Sequence, residues 1–440
     1  MNTKLKEIKK RTQWFSHDRF GLFIHWGLYS IPACGEWVRS NKRVTKEDYQ
    51  KYFNQFNPKD YNPEEWAEIA YKAGMRYAVL TAKHHDGFCL FDSKLTDFKS
   101  TNTPCKRDLV KEFLDAFRKR GMKVGLYYSL LDWRHDDYPH FSDERHPMRE
   151  NPDYPDDGRN FDNYLDYMHG QIKELCVNYG KIDIMWFDFS YGEMRGEKWR
   201  ASQLIKMVRS YQPDVIIDNR LEVSGEGFGS LFTDNPTEYC GDFVCPEQII
   251  PPAPIKNFSG ELLPWESCIT INNNWGYNNF DKEYKSPSLI VRTLVNCVSK
   301  GGNLLLNVGP DANGRFPQKA KEVLTEVGYW MNLNSESIYG AGIASGLEKP
   351  EYGRFTAKEN KLYVHIFEDV IGPLPIPTKV LDNKKLVSVK FLSDGSELHF
   401  DRDFTTANYP DLNFIALGEV GYFTYPIPDK TDTVIELTFE

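Results

Sequence analysis

The sequence predicts an α/β protein, a (β/α)8-like TIM barrel followed by a C-terminal antiparallel β-sandwich. Before residue 340, eight short apolar runs alternate with amphipathic stretches, and eight is the number of strands that a closed (β/α)8 barrel requires. After residue 340, apolar and polar residues alternate with the period of a strand. The length of 440 residues suits one large and one smaller domain, predicted at 1–340 and 341–440.

The elements of the barrel follow in chain order. Strands are predicted at residues 20–27, 77–86, 123–133, 182–189, 215–220, 242–247, 266–272 and 303–310. Helices are predicted at 64–74, 108–121, 160–179, 198–211, 286–300 and 317–333. The link between the fifth and seventh runs is irregular and rich in Pro and Gly, so we expect one or more helices to be absent there.

The β-sandwich is predicted from three alternating runs, at 361–367, 386–392 and 433–439. The pair Asp394-Gly395 is typical of a hairpin turn. Three prolines at 373, 375 and 377 exclude a helix locally. We expect the sandwich to pack on the barrel.

Composition limits the partners. Sixty-three acidic residues against fifty-four Lys and Arg give a net charge of -9, which argues against nucleic acid or an anionic membrane as the main partner.

The eight cysteines show no C-x-x-C and no zinc spacing, so free thiols are expected. The sequence has no apolar leader and no long apolar run, which predicts a cytoplasmic protein unless a secretory signal has been removed. The oligomeric state stays open.

Polar residues follow most of the predicted barrel strands. They are His25, His84-His85-Asp86, the segment from Tyr128 to Asp132, Asp188, Asn219-Arg220 and Glu247. Each has a structural explanation alone, for example Asp188 as a helix cap. Because the carboxyl ends of barrel strands form one mouth, we expect these side chains to converge, and a barrel rim needs no cluster of imidazoles for packing.

The carboxylates Asp188 and Glu247 favour glycoside hydrolysis, in which one group protonates the departing oxygen and another acts on the oxocarbenium-like centre. A metal-dependent hydrolase is one alternative, but the adjacent His84 and His85 of a strand point to opposite faces. A lectin-like barrel that binds sugar without cleaving it is a second alternative. The predicted site needs neither a metal nor an organic cofactor.

Several longer segments carry a family likeness. They are FGLFIHWGLYSIPACGEW at 20–37, TAKHHDGFCLFDS at 81–93, MWFDF at 185–189, DFVCPEQ at 242–248, WESCITINNNWGY at 265–277 and SKGGNLLLNVGPDANG at 299–314. From about residue 10 to residue 340 the chain resembles the α-L-fucosidases of glycoside hydrolase family 29. The barrel and β-sandwich of that family agree with the pattern described above.

The resemblance implies an exo-acting, retaining hydrolase with a two-step mechanism, whose substrate is a fucosylated oligosaccharide or glycoconjugate. Asp188 matches the nucleophile of the family, and Glu247 matches its acid/base, with Glu266 as the second candidate. Glu247 is preferred because Glu266 opens a strand and is expected to lie far from the rim.

The resemblance also implies a set of sugar-binding residues. They are His25, Glu36, Trp37, His84, His85, Tyr128, Trp186, Arg220 and Trp275. Trp186 and Trp275 are expected to enclose the C5 methyl group of fucose. The chain departs from the family at Phe189, where glycine is common, and in the loop 134–160, so the linkage preference stays open.

Overall fold

The computed structural model describes residues 3–225, 227–381, 384–401, 408–419 and 426–440. The described N-terminal part contains a curled, TIM-like parallel sheet of seven strands. They are β1 (Phe20–Ile24), β2 (Tyr77–Lys83), β3 (Lys123–Ser129), β4 (Ile184–Asp188), β5 (Ile216–Ile217), β6 (Glu266–Thr270) and β7 (Asn303–Val308). Their order in the sheet is β5-β4-β3-β2-β1-β7-β6. The predicted fold class is confirmed, and almost every strand residue is buried, as in the parallel sheets of α/β proteins.

The prediction of eight regular strands is wrong at the sixth run, 242–247. This segment makes isolated parallel bridges instead, which are Asp218–Phe243, Val244–Trp265 and Glu247–Cys268. A regular ladder does not form because Pro246 has no N–H and because the Cys245 N–H donates to the Asn219 side chain, 3.1 Å away. The bridges still connect the end of β5 to β6, so the segment fills the gap in the ring.

Helices surround the sheet close to the predicted positions. They are α1 (Thr3–Arg11), α2 (Gln13–Asp18), α3 (Val38–Asn41), α4 (Lys46–Gln55), α5 (Pro63–Lys72), α6 (Leu109–Lys119), α7 (Phe161–Asn178), α8 (Ala201–Tyr211), α9 (Pro287–Val298) and α10 (Gln318–Asn334). The side chains of Asn62, Asp108, Asn160 and Ser286 cap α5, α6, α7 and α9. Pro63 and Pro287 begin their helices, where a missing N–H costs nothing.

The irregular link predicted between the fifth and seventh runs is confirmed. Among its described residues, β5 and β6 are separated by a 3-10 turn at Ser230–Phe232 and by no α-helix. Among all the residues that the structure describes, we find no helix that is long and apolar enough to cross a membrane.

The C-terminal part forms two antiparallel sheets. The strands are β8 (Gly342–Ile343), β9 (Gly353–Lys358), β10 (Lys361–Ile366), β11 (Leu374–Pro377), β12 (Leu386–Phe391), β13 (His399–Asp401), β14 (Leu412–Ala416) and β15 (Thr433–Phe439). One sheet has the order β12-β15-β10-β9-β8 and the other β11-β14-β13. Both contribute to one hydrophobic core, which confirms the predicted β-sandwich.

The sandwich packs on the barrel through the second face of its larger sheet. Along β10, Leu362 and Val364 point into the sandwich core, whereas Tyr363 joins the core of the barrel. Nε1 of Trp330, on α10, donates to the Asp432 carbonyl at 2.8 Å. Both faces of this sheet are therefore covered.

Candidate active site

A small pocket opens at the carboxyl ends of the barrel strands. The empty space within it, including the part open to solvent, is about 350 Å³. The residues that line it are Phe23, His25, Glu36, Trp37, His84, His85, Tyr127, Trp186, Asp188, Phe189, Glu247, Cys268 and Trp275. Side chains far apart in the sequence thus meet at the mouth where barrel active sites are built.

Asp188 is the last residue of β4, and its side chain is recessed, with 14% of it exposed. Its Oδ1 accepts from Nη1 of Arg220 at 3.1 Å, and its Oδ2 accepts from the Tyr127 hydroxyl at 2.8 Å. Burial raises the pKa of Asp188 to about 6, although Arg220 opposes the shift; the charge of Glu247 adds to it. Such a carboxylate is poised to ionise near neutral pH.

Glu247 lies nearer to solvent than Asp188, with 37% of its side chain exposed. Its Oε2 accepts from Nη2 of Arg220 at 3.0 Å. One guanidinium therefore holds both carboxylates, one on each terminal nitrogen. A partly exposed acid beside a recessed one is the asymmetry that two different catalytic roles require.

Arg220 is buried beneath this pair, and its guanidinium lies 4.9 Å from the centre of the Trp186 ring. Besides the two carboxylates, it donates to the Cys245 carbonyl at 3.2 Å. Arg220 is not among the residues that line the pocket. The hydrogen bonds of Arg220 thus hold the two carboxylates in place, and its contact with the sugar stays a prediction from the resemblance.

Glu266 lies at the amino-terminal end of β6, beneath the pocket and not among the residues that line it. It is the first residue of β6 and is fully buried, and it accepts a hydrogen bond from the hydroxyl of Tyr77, the first residue of β2. Burial raises the pKa of Glu266 to about 8. The second acid/base candidate therefore does not face the pocket.

The three predicted histidines lie together in the buried part of the pocket. His84 and His85 have ring centres 4.0 Å apart, and the His25 ring lies 5.5 Å from His84. Nδ1 of His25 lies 2.7 Å from Oδ1 of Asn307, and Nδ1 of His85 lies 2.7 Å from the Ser129 hydroxyl. Burial lowers the pKa of His25 to about 3 and the pKa values of the other two well below the ordinary range, so all three imidazoles are neutral.

Neutral imidazoles, Glu36 and the tryptophans form a surface suited to an uncharged polyol. Oε2 of Glu36 accepts from the Gly276 N–H at 2.8 Å, and burial raises the pKa of Glu36. The neighbouring Trp275 ring lies 5.1 Å from His25. Nδ1 of His84 has no hydrogen-bond partner among the described residues, so a buried polar atom in this pocket is left unsatisfied.

The prediction for Tyr128 is wrong, and Tyr127 takes its place. Tyr128 pairs with Phe187 across β3 and β4, and its hydroxyl donates to Gln171 of α7 at 2.7 Å. Tyr127 pairs with Trp186 and faces the pocket. The strand period of two was the available signal, because Trp186 and Asp188 share a face and their neighbours on β3 must alternate in the same way.

Most of the predicted site residues line the pocket. Those that line the pocket are His25, Glu36, Trp37, His84, His85, Trp186, Asp188, Glu247 and Trp275. Phe23, Tyr127, Phe189 and Cys268 also line it but were not predicted as site residues. Phe23 and Cys268 carried no signal beyond their positions in strands, whereas Phe189 was singled out only as a departure from the family. No cluster of His, Cys, Asp and Glu in the described part of the chain has the arrangement of a metal site.

Comparison with known proteins is consistent with this geometry. The family model described as α-L-fucosidase matches residues 1–336. Plasma α-L-fucosidase from Homo sapiens is 30% identical over 359 residues, which cover 76% of this chain and 70% of that protein.

Solved structures extend the match to 98% of the chain. Isoenzyme 1 of α-L-fucosidase from Paenibacillus thiaminolyticus is 54% identical, with a TM-score of 0.93 over 98% of this chain and 99% of that one. A trapped covalent intermediate of a family 29 α-L-fucosidase from Bacteroides thetaiotaomicron, with 2-fluoro-fucosyl fluoride, is 27% identical, with a TM-score of 0.81 over 98% of this chain and 96% of that one. The chain belongs to the α-L-fucosidase family, glycoside hydrolase family 29.

Proposed function

We propose that this protein hydrolyses terminal α-L-fucosyl residues of oligosaccharides or glycoconjugates by a two-step, retaining mechanism, with Asp188 as nucleophile and Glu247 as acid/base. The observation that carries the assignment is the pair of carboxylates on one guanidinium, one recessed and one partly exposed. A nucleophile must meet the anomeric carbon inside the pocket. An acid/base must reach both the leaving oxygen and water.

In the first step, a carboxylate oxygen of Asp188 attacks C1 of the fucosyl unit as the bond from C1 to the leaving oxygen breaks. Glu247 gives its proton to that oxygen, and a covalent fucosyl-enzyme forms. In the second step, Glu247 takes a proton from water, the water oxygen bonds to C1, and the bond to Asp188 breaks. Fucose leaves with its original anomeric configuration.

The walls of the pocket suit a single deoxysugar. We assign hydrogen bonding of the ring hydroxyls to the neutral His25, His84 and His85, together with Glu36 and Trp37. Trp186 and Trp275 supply apolar surface for the C5 methyl group. A pocket whose base is closed by buried side chains favours exo action on a chain end.

Azide rescue distinguishes the two carboxylates. With an aryl α-L-fucoside, Asp188→Gly should lose turnover and regain it with azide, giving β-L-fucosyl azide, because azide enters from the vacated nucleophile side. Glu247→Ala should give α-L-fucosyl azide, because azide attacks the fucosyl-enzyme from the side of the missing acid. Glu266→Ala is the matched control and should show no azide product. Azide rescue of Glu266→Ala, with near-normal activity of Glu247→Ala, would overturn the assignment.

We also propose that the protein works in a reducing compartment, the cytoplasm. Its eight cysteines are free thiols, and even the buried pair Cys245 and Cys268, with sulfur atoms 3.8 Å apart, is not bonded. Thiol titration of the denatured protein, purified without reductant, should give eight reactive groups. A count of six would indicate a disulfide and argue for an oxidising environment.

A further inference from the structure

Phe189 has an unusual backbone for its residue type. It follows Asp188 directly and has φ of +83°, in the left-handed region that favours glycine. A large side chain at such a position costs free energy that glycine would avoid. A strained residue beside a reacting carboxylate therefore points to a function for its ring.

The Phe189 ring is half-buried at the mouth of the pocket. Its centre lies 4.8 Å from His85, 5.4 Å from Trp37 and 5.6 Å from Tyr191. Tyr191 is held in turn by a hydrogen bond from its hydroxyl to Asp143. We call Trp37, Phe189 and Tyr191 the aromatic rim, and its contacts fix the orientation of the Phe189 ring. The Trp37 ring also lies 5.1 Å from His85, so it borders both the rim and the fucosyl pocket.

The aromatic rim and the acid lie on different sides of the nucleophile. In the order β5-β4-β3-β2, Phe189 follows β4 and contacts His85, which follows β2. Glu247 instead lies in the segment between β5 and β6. A group attached to C1 leaves through the mouth, so it passes between Glu247 and the aromatic rim.

The deep part of the pocket cannot hold that group. Its walls are buried side chains, among them His25, His84 and Trp186, whereas Trp37, Phe189 and Glu247 are partly exposed. A ring attached to the leaving oxygen therefore meets the aromatic rim while Glu247 protonates that oxygen. The flat ring of Phe189 offers apolar surface and no hydrogen bond, which suits another flat apolar face.

We propose that the aromatic rim is a leaving-group subsite, in which Phe189 stacks on a pyranose or aryl ring attached to the fucosyl oxygen. This subsite rests on the proposed function, since it assumes that a fucosyl unit occupies the pocket. It makes Phe189 a specificity-determining residue that selects fucosides with a ring-shaped leaving group over those with a small one.

The test compares leaving groups in Phe189→Gly, Phe189→Ala and Phe189→Tyr. For an aryl α-L-fucoside and a fucosyl disaccharide, kcat/KM should fall about tenfold in the Gly and Ala variants, because the stacking surface is lost. For α-L-fucosyl fluoride, which has no ring to stack, kcat/KM should stay within about twofold of the wild type. Phe189→Tyr keeps the ring and should retain the selectivity.

Two controls separate this role from a structural one. Inhibition by free fucose, which fills only the deep pocket, should be unchanged in all three variants. Tyr329→Ala removes an aromatic ring that is 69% exposed on α10, and it should leave every substrate unaffected. An equal loss for the fluoride and the aryl fucoside, or unchanged selectivity in Phe189→Gly, would overturn the subsite. If the wild type cleaves no fucoside, the proposed function fails and the subsite with it.

Discussion

Nη1 of Arg220 lies 3.1 Å from Oδ1 of Asp188, in an ion pair formed by a buried guanidinium and a recessed carboxylate. The other terminal nitrogen of Arg220 binds Glu247 at 3.0 Å. The positions of the two acids and the pKa of Asp188 thus depend on one side chain that does not line the pocket. The planar fork of arginine supplies both contacts at once, which lysine cannot do.

Arg220→Gln should abolish most activity and move the pH profile. The positive charge of Arg220 lowers the pKa of Asp188, which is about 6 in the intact site, so its removal raises that pKa. We expect kcat/KM for an aryl fucoside to fall by about 100-fold. The acid limb of the pH profile of kcat/KM should shift to higher pH. Arg220→Lys keeps the charge and should shift the limb less.

The matched control for Arg220 is Arg195→Lys, since Arg195 is exposed on the loop after β4. A melting temperature close to that of the wild type for each variant would exclude unfolding as the cause of the activity loss. A folded Arg220→Gln protein with an unmoved acid limb would show that the guanidinium does not tune Asp188.

Tyr127→Phe and Tyr128→Phe form a pair of neighbouring substitutions with opposite expected results. Loss of the Tyr127 hydroxyl removes a donor to Asp188, so the pKa of that carboxyl rises and kcat/KM at pH 6 should fall about tenfold. Loss of the Tyr128 hydroxyl breaks its bond to Gln171, which should cost about 1 kcal/mol of stability and leave kcat/KM unchanged. Similar activity losses in both variants would contradict the assignment of Tyr127 to the pocket.

Much of this fold could be predicted because its signals are local. The spacing of apolar residues predicted the strands and helices of the barrel, and capping residues marked where helices begin. The polar residues at the strand ends indicated where the pocket would form. The sixth run failed as a strand because hydrogen bonding at Cys245 is decided by a distant side chain, Asn219. A local apolar pattern carries no information about such a contact.

The site was harder to predict where it depends on which way a side chain faces. Tyr127 and Tyr128 are adjacent residues of the same type, so residue type cannot show which of them faces the pocket. Only the register of β3 against β4 separates them. Arg220 can bind both Asp188 and Glu247 only because β4 and the segment that carries Glu247 lie close together in space, which the sequence does not show. The division at residue 340 and the catalytic roles stay predictions until they are tested.

Glu266→Gln should reverse a pH-dependent loss of stability. In the folded protein the pKa of Glu266 is about 8, against 4.5 for an ordinary glutamate. Between these values the folded state binds more protons than the unfolded state, so the free energy of unfolding falls as pH rises. Glutamine cannot ionise, and the variant should be more stable relative to the wild type at pH 8.5 than at pH 5.

Urea denaturation at both pH values measures this difference. The exposed Glu348→Gln is the matched control and should follow the wild type. The activity of Glu266→Gln should survive, because Glu266 does not line the pocket and glutamine can still accept the hydrogen bond of Tyr77. Parallel stability curves for wild type and Glu266→Gln would show that Glu266 is ionised in the folded state.

Arg292→Ala should weaken the attachment of the β-sandwich to the barrel. From α9, Arg292 donates to the carbonyls of Thr431, Lys430 and Phe367 at 2.9, 2.7 and 2.8 Å. Alanine leaves these carbonyls without their donor, so we expect the free energy of unfolding to fall by about 1–3 kcal/mol, with kcat/KM for an aryl fucoside within about twofold of the wild type. Urea denaturation measures the loss, and Arg195→Ala is the control. A large activity loss at unchanged stability would instead show that the sandwich supports the pocket directly.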